Sequence, residues 1–106
     1  MYQFHTFREQ SLLFYKLQSP DGLSWVTLSP ERGGIITEFG VDGKNIFYLR
    51  EDTLFDQTKN VRGGNPILFP ISGQLTDGEY EWQGEKYQMP NHGIARISRW
   101  EVVEIR

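Results

Sequence analysis

The chain has 106 residues, enough for one small domain, with 38% hydrophobic residues, 14% aromatic residues and a net charge of −3. A nucleic-acid binder would carry a basic surface, so that class is set aside. There is no cysteine, which excludes disulfides, thiol catalysis and cysteine-based zinc sites and is compatible with a reducing cytoplasm. Met1 to Gln10 lacks the basic start and apolar run of a signal peptide. No apolar stretch is long enough to span a bilayer, so a cytoplasmic protein without a membrane role is expected.

Short alternating segments separated by turn residues predict an all-β fold. Tyr2–Arg8 and Leu12–Gln18 read as strands, and Pro20-Asp21-Gly22 as a turn before a strand over Leu23–Leu28. Pro30 to Gly34 breaks the chain. Ile35–Phe39 and Asn45–Leu49 flank Asp42-Gly43, a hairpin signal because a primed turn needs positive φ. Glu51–Asn60 is polar and irregular, with room for one helical turn. Glu79–Met89 reads as a hairpin turning at Gly84-Glu85. In that register Trp82 faces Tyr87 and Tyr80 faces Met89, with Glu79, Glu81, Lys86 and Gln88 on the other side. Arg99–Arg106 reads as a last strand with apolar residues on both faces. Its open edge would favour self-association.

Two segments carry candidate chemistry. In Val61-Arg62-Gly63-Gly64-Asn65-Pro66-Ile67-Leu68-Phe69-Pro70, the paired glycines let the backbone bend and approach a ligand. Arg62 beside them has a planar fork suited to sugar hydroxyls or phosphate; the alternative is a β-turn with a solvated arginine. In Met89-Pro90-Asn91-His92-Gly93-Ile94-Ala95-Arg96, the imidazole of His92 and the amide of Asn91 can each donate and accept, as a sugar hydroxyl requires, and Arg96 adds a fixed charge. The alternative is a capped loop with His92 hydrogen-bonded to backbone. Asp77, Glu79, Glu81 and Glu85 are read as surface charges rather than a glycosidase pair, and His5 as structural. Two distant histidines without an acidic ligand pattern make no metal site, and no phosphate loop or dinucleotide fingerprint is present.

Together, Arg62–Pro70, Gly73-Gln74-Leu75, Tyr80, Gly84, Tyr87 and Met89–Arg96 form an ordered series. The series resembles the aldose 1-epimerase (galactose mutarotase-like) family, in particular its glucose-6-phosphate 1-epimerase-like and LacX-like branches. Leu28-Ser29-Pro30-Glu31-Arg32-Gly33-Gly34-Ile35-Ile36 is similar to an early strand of the same family. The likeness runs from about Leu23 to Trp100. Asn91 stands where glutamine is common, and Ile94 where phenylalanine or leucine is.

The resemblance implies an antiparallel β-sandwich of the galactose mutarotase-like supersandwich type, of which residues 1–106 are the N-terminal portion. It implies interconversion of the α and β anomers of a hexose or hexose 6-phosphate, without cofactor or metal. By this likeness Arg62, Asn91, His92 and Arg96 contact substrate. The family's general acid, a second histidine, and its general base, a glutamate, come much later in the chain. Nothing here replaces them, since Glu101 and Glu104 follow His92 too closely, so no catalytic residue is assigned. A non-catalytic carbohydrate-binding domain and a truncated structural fragment are the alternatives.

Overall fold

Alternation in the first half of the chain becomes a meander. The computed structural model describes all residues, 1–106. Strands β1 (Gln3–Glu9), β2 (Leu12–Gln18), β3 (Trp25–Ser29), β4 (Ile35–Val41) and β5 (Lys44–Asn45) form one antiparallel sheet in sequence order. The fold is all-β. Helix is confined to α1 (Glu51–Phe55) and three short 3-10 turns, and no helix is long and apolar enough to cross a membrane. A separate hairpin pairs β6 (Glu79–Trp82) with β7 (Glu85–Gln88).

One face of the sheet is closed by the segment after β5. Leu12, Phe14 and Ile35 from the sheet and Leu54 from α1 form the buried cluster, with Phe7, Leu49, Phe55 and Val61 packed around it. Phe7 stacks on Phe14 at 5.2 Å, and Phe55 meets Phe14 edge-on at 6.2 Å. Each such side chain removed from water stabilises the fold by about 1.5–3 kcal/mol. Directly across the ladder from Trp25 lies Gly40, whose missing side chain leaves room for the indole. Lys16 sits 5.2 Å above the same ring.

The structure corrects three expectations. The hairpin turns at Gln83-Gly84, not Gly84-Glu85, so Tyr80 faces Tyr87 and Trp82 faces Glu85. Both turn residues take positive φ, 51° and 81°; a two-residue type I′ turn demands this, and glycine takes the second place. The displacement is two residues, so the assignment of side chains to faces stands. The strand expected over Asn45–Leu49 stops after Asn45. There the Asn45 side-chain oxygen accepts from the backbone N–H groups of Phe39 and Phe47, and one more backbone bond, from Ile46 N–H to the Phe39 carbonyl, ends the pairing.

Arg99–Arg106 is not a strand, because it forms no hydrogen-bonded ladder with any strand of the sheet. Its contacts run instead to the Pro30 turn: Trp100 N–H donates to the Pro30 carbonyl at 2.8 Å, and Arg99 pairs with Glu31 at 2.7 Å. The long open edge belongs to β1.

Candidate functional site

The Arg62 segment is fixed by its backbone. Arg62 N–H donates to the Thr53 hydroxyl at 2.9 Å, and its carbonyl accepts from Arg50 N–H. Gly64 N–H reaches the Tyr48 carbonyl, and Asn65 exchanges two hydrogen bonds with Ile36 at 2.8 and 3.0 Å. This lays the loop against β4. A Cβ at Gly64 would meet the Ile36 carbonyl at 2.7 Å, and its φ is +67°; only glycine allows so close an approach. The Arg62 side chain is exposed and makes no hydrogen bond or ion pair within the chain.

The His92 segment is pinned to the end of the same loop. Phe69 and Gly93 form a parallel bridge, and the Phe69 carbonyl accepts from Ile94 and Ala95 at 2.9 and 3.1 Å. Gly93, at φ +73°, packs so tightly on Phe69 that a side chain there would strike its carbonyl. His92 N–H donates to the Gly73 carbonyl, and Nδ1 lies 2.6 Å from the Ser72 carbonyl. A carbonyl can only accept, so Nδ1 carries the proton, and the neutral ring keeps Nε2 as an acceptor. Arg96 Nη2 donates to the Asn91 carbonyl at 3.3 Å, while its Nε is buried without a partner.

Of the four sequence-predicted residues, Arg96 lines a cavity of about 30 Å³ together with Val61 and Pro66 of the Arg62 loop and with Arg32, Ile35, Asn60 and Ile97. That volume suits a water molecule, not a pyranose. Arg62, Asn91 and His92 lie outside it. The two motif loops therefore meet at one place, but their four side chains do not converge on one enclosed hollow. The largest cleft, about 530 Å³, lies between Arg99–Val102 and β2 and contains none of the four. It is a gap between the C-terminal segment and the sheet, without convergent motif groups.

Sequence reading missed two structural ions. Arg32 is buried, and its guanidinium donates to the carbonyls of Leu54, Thr53, Asp56 and Lys59 at 2.6–3.2 Å. Burial pushes its pKa down, and the nearby Asp56 carboxylate opposes that shift. Glu31 accepts from Leu13 N–H at 2.8 Å and pairs with Arg99 and Arg8. The Leu13 hydrogen bond, followed by these two arginines, holds its carboxyl below the ordinary range. Neither residue stands out in the sequence, because a charge beside a chain break looks solvated. Among the hairpin acids, Glu79, Glu81 and Glu85 are exposed. Glu85 accepts from the Tyr87 hydroxyl at 3.0 Å, which raises the phenol's pKa.

No family model matches the chain. Among solved structures, it is similar to the Slr1438 protein from Synechocystis sp. PCC 6803, with 38% sequence identity and a TM-score of 0.85. The match covers all of this chain and 36% of that one, so the chain spans about a third of the length of this structural neighbour.

Proposed function

We propose that this chain supplies part of the sugar site of an aldose 1-epimerase-type isomerase, a cytoplasmic enzyme that interconverts the α and β anomers of a hexose or hexose 6-phosphate. The observation that carries the reading is the stitching of the Arg62–Pro70 and Met89–Arg96 segments through Phe69. The two motifs that resemble the family are neighbours in space as well as members of one ordered series.

The chemistry of the groups fits a polyol. Arg62 has a guanidinium uncommitted to any partner in the chain. Arg96 retains donors beyond its bond to Asn91, and His92 offers Nε2 as an acceptor. Anomer exchange needs one group to take the proton of the C1 hydroxyl and another to protonate the ring oxygen. His92 is committed through Nδ1 to a carbonyl, and no carboxylate pairs with it. Its role here is binding, with acid and base supplied by other residues of the enzyme.

Polarimetry of freshly dissolved α-glucose and of its 6-phosphate tests the division of labour. This chain alone leaves the rate of mutarotation unchanged, and a clear acceleration would refute the assignment of His92 to binding only. For recognition, Arg62→Ala and Arg96→Ala each weaken a hexose phosphate more than a neutral hexose in calorimetric titration. Equal loss for both sugars would remove the phosphate from the reading. A non-catalytic sugar-binding domain is the second reading, favoured by the same carbonyl anchor on His92. It stands if the chain joined to the rest of such an enzyme still binds hexose without turnover.

A further inference from the structure

Two arginines share the small cavity that the motif loops help to wall. Arg32 is only 7% exposed, and its four carbonyl bonds all use Nε or Nη2, so Nη1 takes part in none of them. Arg96 Nε is buried without a partner, and the one bond its guanidinium makes runs from Nη2 to the Asn91 carbonyl. Both side chains line the cavity of about 30 Å³. The Arg96 backbone sits so close to Gly33 that a Cβ there would strike the Arg96 carbonyl. This contact brings the second arginine to the turn that carries the first.

The lining is one-sided in charge. Asn60 can add an amide N–H, the remaining walls are apolar, and no carboxylate is among them. Asp56, the carboxylate that acts on Arg32, is not in the lining and is engaged by Thr58 and Lys59. Arg96 forms no ion pair. Like charges at one cavity repel, and an unbalanced charge out of water is costly. A water would fill the volume, but it is neutral and has two protons of its own to place. For those the lining side chains offer one acceptor, the Asn60 amide oxygen. An anion accepts from every donor present and balances the charge.

From this we infer that the cavity is a binding site for one monatomic, halide-sized anion, held between the guanidinium groups of Arg32 and Arg96. The volume excludes a hexose phosphate, and Arg62 lies outside it, so the ion and a sugar do not compete for the same space. The walls come from the Arg32 turn, from Ile35 of β4, from Asn60, Val61 and Pro66, and from Arg96. A bound ion therefore ties both motif loops to the sheet.

The test uses the full chain and no sugar, so it fails or succeeds independently of the proposed function. Thermal melts are run at constant ionic strength while sodium gluconate, whose anion is too large to enter, is exchanged for sodium chloride, bromide or phosphate. A saturable rise in Tm of about 4 °C or more is expected with either halide. Arg96→Met is expected to abolish that response and Arg62→Ala to keep it. Bromide soaked into crystals of the unaltered chain gives a readout that needs no variant: an anomalous peak between Arg32 and Arg96. Equal melts in gluconate and halide overturn the inference, as does a cavity peak without anomalous signal, which means a water only. So does a rise with phosphate but with neither halide, or a halide response that survives Arg96→Met.

Discussion

Residues 3–45 and residues 46–98 reach their shapes by different means. The first region is a run of hydrogen-bonded strands with a fixed register, and it holds Leu12, Phe14 and Ile35 of the buried core. The second has little apolar burial of its own, chiefly Leu54 and Ala95. It is held by single backbone bonds to the sheet and between loops, by the Arg32 guanidinium, and by glycines that admit neighbouring carbonyls. A region ordered by burial tolerates exchange of its polar surface but not of its core. A region ordered by close backbone approach tolerates exchange of many side chains but not the addition of a Cβ at a few places.

The largest effect should come from the sheet core. Phe14→Ala removes the ring that joins Phe7 to Phe55 and is expected to cost about 3–5 kcal/mol, read from urea denaturation. A loss under about 1 kcal/mol would mean that the sheet does not dominate stability, and the contrast would collapse.

Next comes the strut between the regions. Arg32→Met leaves the carbonyls of Thr53, Leu54, Asp56 and Lys59 without their donor, at a cost of about 2–3 kcal/mol. Hydrogen exchange should accelerate across residues 50–62 while the amides of β2 and β3 stay protected. Uniform acceleration over the whole chain would show that the two regions unfold as one.

Gly93→Ala should cost somewhat less, about 1–3 kcal/mol, because it forces an L side chain into the left-handed region against Phe69. The expected signature is local: NMR shifts for His92 and for Phe69–Gly73, with the sheet resonances unmoved. An unchanged His92 spectrum would break the claim that backbone contact positions this loop.

The smallest effect is one of acidity. The folded pKa of Glu31 lies below its unfolded value, chiefly through the Leu13 N–H and then through Arg99 and Arg8. Its contribution is therefore present above the ordinary glutamate value of about 4.3 and is lost as pH falls through the lower folded value. Thermal melts taken from neutral pH into the acid range should show a steeper acid loss for the wild-type chain than for Glu31→Gln. Equal slopes would assign the acid sensitivity to other carboxylates.

How much could be read in advance follows the same division. The alternation in Leu12–Gln18 and the Asp42-Gly43 turn located strands and hairpins, because a period of two residues and a positive-φ dipeptide are local properties. The faces of Glu79–Met89 were legible for that reason, while its register was not, since the choice between Gln83-Gly84 and Gly84-Glu85 depends on which pair closes the turn. Arg62 and the Asn91-His92 pair were legible as candidates because their residue types and glycine neighbours are visible in one dimension. Arg32 was invisible, because what distinguishes it is four carbonyls that follow it by more than twenty residues.

The amino-acid order by itself determined the all-β class, the alternation of strands such as Leu12–Gln18 and the left-handed turn at Asp42-Gly43, all of which depend on neighbours along the chain. Only the tertiary structure decided that the Arg62 and His92 loops meet at Phe69, that Arg32 closes the end of α1, and that Arg99–Arg106 runs past the Pro30 turn without pairing as a strand. Each of these depends on partners distant in sequence, where the energy of a contact is set by burial and by which donors and acceptors remain unpaired once the sheet has formed.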